Sequence, residues 1–245
     1  MTYIPTSDFY HLVQSGQVPG HDIVNKFGRN PDTDSPQEDV WNEGGTYTGF
    51  PVGAPETVQV VSSSASDTGV LTFTYLATSS STAWQTATVT LNGTTPVNAS
   101  VSAYRVHTAY YDTGDDTTFN VGDITVRHAT TTANVFLTIP VGRSQSNASA
   151  YTVPAGHTGY IIRMFGETVG GTSSNNAGFA LRVREFGKSP RLRRPHSTNE
   201  GDRFDEIIAG GLVLPEKSDI ILQATVTSNN LQIIGGYDIM VVANT

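Results

Sequence analysis

The 245-residue chain contains no cysteine. That absence excludes thiolate nucleophiles, iron–sulfur clusters, cysteine-ligated zinc and disulfide frameworks. Charge is scarce as well: 15% of residues are acidic or basic, and only three are lysine. The formal net charge of -8 argues against a general affinity for nucleic acid or an anionic membrane. Long apolar runs are missing. The uncharged stretch 68–104 is broken throughout by Ser, Thr, Asn and Gly, so it does not read as a membrane span. Met1 is followed by no basic-then-apolar targeting segment. What the chain has in abundance is Ser and Thr, 54 residues together, and 24 glycines. The helix formers Lys, Glu and Leu are few, whereas Thr, Val, Tyr and Phe, which suit strands, are common. A chain of this length buries a sizeable core unaided. The composition therefore predicts an all-β protein with a neutral, hydroxyl-rich surface.

Two regions differ in pattern. Residues 1–55 carry one short predicted helix, N-capped by Ser7, running through Phe9-Tyr10-His11-Leu12-Val13 and stopped at Gly16. Turn signals then follow closely: Pro19-Gly20, Asn30-Pro31, Ser35-Pro36, Gly44-Gly45 and Pro51. Phe9, Tyr10, Phe27, Trp41, Tyr47 and Phe50 are scattered through this punctuation as apolar anchors. The expectation is an extended arm over 1–55, lying either on a neighbouring chain or as a cap on its own core. From 56 to 245 strands dominate. Twelve are predicted, at 57–62, 70–76, 86–91, 103–111, 123–128, 135–139, 150–153, 158–169, 179–186, 203–208, 220–227 and 231–242. Alternation is clearest in Leu71-Thr72-Phe73-Thr74-Tyr75. Turn clusters such as Asn92-Gly93, Gly170-Gly171 and Asn229-Asn230 separate the runs. An antiparallel β-sandwich, jelly-roll-like, is expected over 56–245. Two stacked smaller sandwiches divided near Gly142 are the alternative.

Catalytic and metal signatures are weak. The six histidines show no metal-ligand spacing; His107 and His128 would need to meet across neighbouring strands. No nucleophile elbow, P-loop or dinucleotide fingerprint occurs. Asp112-Thr113-Gly114-Asp115-Asp116 reads as a solvated turn more readily than as a calcium loop. Glu167 and Glu185 form the carboxylate pair a glycan hydrolase would need, without any aromatic subsite pattern. The sharpest signal is cationic. Arg182, Arg184, Lys188, Arg191, Arg193 and Arg194 put 6 of the 14 cations into 13 residues. Arginine favours bidentate pairing with carboxylate or phosphate. The complementary acids lie in the N-terminal segment: Asp32, Asp34, Glu38, Asp39 and Glu43. An exchanged arm in a symmetric assembly and a clamp within one chain fit this complementarity equally.

Several N-terminal words resemble a known group. Gly16-Gln17-Val18-Pro19-Gly20-His21, Lys26-Phe27-Gly28-Arg29-Asn30-Pro31, Glu38-Asp39-Val40-Trp41 and Gly44-Gly45-Thr46-Tyr47 look like the start of small structural proteins from tailed bacteriophages, many of them marine. Later words, Thr88-Val89-Thr90-Leu91-Asn92-Gly93 and Tyr151-Thr152-Val153-Pro154-Ala155-Gly156, are similar to the same group but less specific. The resemblance implies a head decoration or cement protein rather than an enzyme. It implies no catalytic residues, cofactor or metal. The expected partners are the major capsid protein and other copies of the chain, as a homotrimer. The expected place is the capsid exterior, after assembly in the bacterial cytoplasm. Phe9, Tyr10, Phe27, Trp41 and Phe50 are the expected partner anchors. Arg182, Arg184, Arg191, Arg193 and Arg194, with Asp32, Asp34, Glu38 and Asp39, are the expected interface charges. Three rivals stay open: a tail or fibre protein binding host glycan around Trp84 and Tyr110-Tyr111, a head–tail connector, and a glycan-cleaving enzyme.

Overall fold

The computed structural model describes residues 9–50, 53–169, 176–199, 201–227 and 230–244. Its elements, in chain order, are α1 (Phe9–Gln14), β1 (His21–Thr33), β2 (Glu38–Asp39), β3 (Glu56–Ser62), β4 (Val70–Leu76), β5 (Gln85–Thr90), β6 (Val97–Ala103), β7 (Arg105–Asp112) and β8 (Ile124–His128). They continue with β9 (Val135–Ile139), β10 (Tyr151–Thr152), β11 (His157–Val169), β12 (Asn176–Arg184), β13 (Arg191–Asn199), β14 (Arg203–Leu214), β15 (Asp219–Val226) and β16 (Leu231–Ala243). The expected cap Ser7, Pro51, the Gly170-Gly171 turn and Asn229 lie outside the described residues. Gly16 does end the helix region, at φ +73°, the left-handed conformation glycine adopts without a Cβ penalty.

Two sandwiches share the chain. The larger has one sheet ordered β1-β16-β11-β14 and a second ordered β10-β15-β12-β13, with β2 also paired to β15. If β2 and β10 are counted as two pieces of one interrupted strand, its eight strands pair first with eighth, second with seventh, third with sixth and fourth with fifth. That is a long antiparallel ribbon rolled into two sheets, a jelly roll. The smaller sandwich, β3 to β9, interrupts the second strand. Its sheets are ordered β6-β3-β8-β9 and β5-β4-β7. Each sandwich has its own apolar core. Phe73, Leu71, Val58, Val126 and Phe136 are buried in the insert. Ile161, Met164, Phe179, Leu181, Leu222 and Tyr237 are buried in the jelly roll. Each such side chain contributes roughly 1.5–3 kcal/mol on burial.

This arrangement corrects the expected division at residue 55. Residues 21–33 are no arm: they form a 13-residue strand in antiparallel register with β16, from His21↔Val242 to Thr33↔Leu231. The strand escaped the sequence reading because it is an edge. An edge strand needs no continuous apolar face and tolerates Pro31 near its end. Gly28 is required where this strand crosses the next segment, since a Cβ there would sit 2.1 Å from the Val40 carbonyl oxygen. The chain then passes between cores: Val40 is buried in the jelly roll, Trp41 and Tyr47 in the insert. Three further strands were not anticipated: β6, β13 and the two-residue β2. In β6 the sequence Val97-Asn98-Ala99-Ser100-Val101-Ser102-Ala103 offers only small apolar groups, and β13 is a cationic edge carrying Pro195.

The middle of the molecule is the β10-β15-β12-β13 sheet, in which β15 is buried on both faces and the β13 edge is exposed. Along β15, Ile220, Leu222 and Ala224 face the jelly-roll core, while Ile221 belongs to the insert's core. Period-2 alternation therefore sends Asp219, Ile221 and Gln223 toward the insert. Register places Arg182 opposite Ile221 and Arg184 opposite Asp219, on the same face. Deleting residues 1–50 removes β1, β2, Val40, Trp41 and Tyr47. The expected outcome is loss of cooperative thermal unfolding by circular dichroism; a truncated chain melting like the full one would contradict this architecture.

Candidate functional site

Three of the sequence-predicted charges, Arg182, Arg184 and Asp39, meet at the junction of the two sandwiches, with Arg105 and Asp219, which the sequence did not single out. Asp219, on β15, is 3% exposed and Arg105, at the start of β7, is 1% exposed. Arg105 donates through Nε and Nη2 to the two Asp219 oxygens, at 2.9 and 3.0 Å. Arg184 donates to the same carboxylate, through Nε at 3.1 Å and through Nη2, and also to the Phe50 carbonyl at 2.8 Å. Thr152 supplies a third partner, its hydroxyl donating at 2.6 Å. One carboxylate thus holds an arginine from each sandwich. The Arg105 guanidinium also lies 3.8 Å from the Tyr104 ring centroid and 5.4 Å from that of Phe50.

A second cluster sits beside it. Asp39 is fully buried and accepts from Arg182 Nε at 3.0 Å and from Arg182 Nη2. It also accepts from the Tyr47 amide at 2.7 Å and Gln223 Nε2 at 3.3 Å. Burial pushes the Asp39 carboxyl above its ordinary range, opposed by Arg182 and the Tyr47 amide. The Arg182–Asp39 pair is an intrachain clamp. Glu38 accepts from Asn30 at 2.6 Å and Asp34 from the Asn230 amide at 3.2 Å, while Asp32 lies exposed at the end of β1. Arg193 approaches Glu185 at 3.8 Å and Arg194 approaches Glu206 at 3.6 Å, both on the surface, with Arg191 exposed beside them on β13.

The expected aromatic anchors divide. Trp41 is 4% exposed and packs edge-to-face on Tyr47 at 5.0 Å. Phe50 is half-buried against Tyr47 at 4.7 Å. Both belong to the insert's own packing, which corrects their reading as contacts to a partner. Phe9, Tyr10 and Phe27 are exposed. His107 and His128 lie on different sheets, one beside Trp84 and the other 4.4 Å from Phe136. Glu167 lies on β11 and Glu185 just past the end of β12, a strand of the other jelly-roll sheet. Asp112 and Asp115 cap their own turn, accepting from the Gly114 and Thr117 amides at 2.8 Å. Among the described residues no three His, Asp or Glu side chains gather as a metal site.

Sequence reasoning missed the other end of the junction. Lys26, on the inward face of β1, is 4% exposed, and its Nζ donates to the His107 carbonyl at 2.8 Å. Burial lowers its pKa to about 7 and also lowers that of His107. The sequence carries no sign of it: Lys26, Gly28 and Asn30 alternate as the inward residues of β1, yet none of the three is apolar. Arg105 and Asp219 lie 114 positions apart, which no local pattern reveals.

No family model and no curated protein matches this chain. Solved structures with partial likeness include an infectious bursal disease virus Gt strain particle, at 12% identity over 98% of this chain and 78% of that one, with a TM-score of 0.27. A VP2 mutant of the same virus gives 10% identity, 98% and 76% coverage and a TM-score of 0.28. Empty cowpea mosaic virus particles give 11%, 79% and 84%, and 0.20. None of them assigns a role to a residue here.

Replacing Asp219 with Asn leaves two arginines without their shared carboxylate. Stability should fall by about 3–5 kcal/mol in urea unfolding, the usual cost of breaking a buried pair. Lys26 makes stability depend on pH. Between its folded value near 7 and the ordinary 10.5, the unfolded chain binds more protons, so stability should rise from pH 7 toward 9.5. Above about 10 the sign reverses, because burial raises the pKa of Tyr47, Tyr151 and Tyr237. Urea midpoints for the native chain and Lys26→Met should diverge at pH 7 and converge near 9.5. Parallel profiles would refute the assignment.

Proposed function

We propose that this chain is a virion structural protein of a tailed bacteriophage that decorates the capsid exterior and bridges coat subunits. The observation that carries the reading is the outer face of the β1-β16-β11-β14 sheet, which is bordered by α1. In the middle sheet β15 is buried on both faces, whereas this sheet presents Tyr10 of α1, Ile23, Ile162 and Ile207 around a groove of about 290 Å³. Ile207 is 81% exposed and Phe27 39% exposed. Apolar side chains gathered on one face of a soluble protein mark an interaction surface. Within the groove Arg163 pairs with Asp205 at 2.7 Å and Asp238 at 3.3 Å, a polar element that would set register more than affinity.

The N-terminal words that resemble phage structural proteins support the same reading, and the jelly roll is compatible with it. Phe9, Tyr10 and Phe27 are the anchors that remain toward the major capsid protein. Arg191, Arg193 and Arg194 on the β13 edge are the charges proposed to meet acidic groups of a partner. Trimeric self-association and assembly in the bacterial cytoplasm are parts of the proposal drawn from the resemblance. No cofactor, nucleic acid or membrane enters it.

Quantitative mass spectrometry of purified virions tests placement. A copy number equal to the major coat protein's, or a simple fraction of it, is expected; a handful per particle would move the protein to the tail or connector. Reversing Arg191, Arg193 and Arg194 to Glu should reduce incorporation without lowering the melting temperature, because exposed substitutions usually cost under about 0.5 kcal/mol. Full incorporation of that variant would dismiss the edge contact.

A further inference from the structure

We infer a binding site for a neutral saccharide at the mouth of the sandwich junction, in a cleft of about 380 Å³ lined by Trp84, Tyr151, His21, His157, Asp22 and Thr82. It is independent of the capsid reading, since it uses neither the outer sheet face nor the β13 edge.

The wall is aromatic and firmly supported. The half-buried Trp84 indole lies 5.6 Å from the Tyr151 ring and 4.9 Å from the His107 ring, and its N–H donates to the Tyr151 hydroxyl at 3.3 Å. The loop before Trp84 is pinned to the opposite wall by the Ala155 amide donating to the Ser81 carbonyl at 3.0 Å. Hydrogen bonds from the Thr78 amide to Ser81 Oγ at 3.0 Å and between the Thr78 and Ser81 hydroxyls at 3.3 Å tighten that loop. A partly exposed ring held from behind is what a sugar's C–H face requires, because little order is lost on binding.

The polar groups are acceptors. His21 Nδ1 lies 3.0 Å from the Pro19 carbonyl and His157 Nδ1 2.9 Å from the Ala155 carbonyl. A carbonyl can only accept, so Nδ1 is the donor in each contact, and in the tautomer this fixes Nε2 is the acceptor. Asp22 adds an exposed carboxylate. Three acceptors beside an aromatic wall suit a ligand with several hydroxyl donors and one apolar face. Among the described residues no Lys or Arg lines the cleft and Asp22 does, which favours a neutral sugar over one bearing carboxylate or sulfate. A divalent ion is the other ligand such donors suggest, but they are not gathered into a metal-binding group.

Saturation-transfer NMR on the full chain, with maltose, lactose, mannobiose and glucuronic acid as probes, decides the matter. At least one neutral disaccharide should show transfer and glucuronic acid none. Asp22→Ala and Trp84→Ala should each weaken binding about tenfold, as the loss of one hydrogen bond or one stacking contact would. Asp22 is exposed, so its variant keeps the native melting temperature and remains decisive if the Trp84 variant fails to fold. Absence of transfer from all three disaccharides, transfer unchanged in Asp22→Ala, or preferential binding of glucuronic acid would each overturn the proposal.

Discussion

The Asp219 carboxylate is the point on which the two-sandwich architecture depends. It is buried, it faces the insert, and it binds one arginine from β7 and one from β12. A lone carboxylate there would carry a large desolvation penalty, and so would either arginine. Together they satisfy one another, and they do so in only one relative placement of the two sandwiches. Apolar burial drives the sandwiches together without regard to register. The bidentate Arg105–Asp219 geometry supplies the register.

The opposite end of the junction is built differently. Lys26 reaches across to a single carbonyl of His107, and His107 Nδ1 has no partner of its own. The two ends thus respond to pH in different ways. At the arginine end burial raises the pKa of the Asp39 carboxyl, while the lysine end is relieved as Lys26 loses its proton. The lysine end lies beside the aromatic cleft of Trp84 and Tyr151, through the His107 ring 4.9 Å from Trp84.

Covering one sheet face also decides which surfaces stay available. With the insert seated on the middle sheet, Arg182 pairs with Asp39 and Arg184 with Asp219 within the chain. What remains outward is the other jelly-roll sheet, with Ile207 and Phe27, and the β13 edge. Pro195 and three arginines guard that edge against unspecific strand pairing.

Strands with a clean alternation were legible in the sequence: β4 and β9 match their predicted spans, and β3, β5, β8, β11, β15 and β16 match within a residue or so. Their signal is local: an apolar face at period two, as in β4, or a short apolar run, as in β9 and β15, which are buried on both faces. The all-β class and the short helix were legible from such local signals, and of the arginines matched with N-terminal acids one pair, Arg182–Asp39, forms within the chain. The role of residues 21–50 was not. An edge strand and a crossover segment owe their structure to distant partners, β16 for one and the insert's core for the other. Composition and alternation by themselves determined that the chain folds as antiparallel sheets with hydroxyls outward. Only the tertiary structure decided that the second jelly-roll strand is interrupted, that Arg182 and Arg184 close on Asp39 and Asp219, and that Trp41 is core. Those outcomes depend on which face the insert covers, and that is set by contacts between residues more than a hundred positions apart.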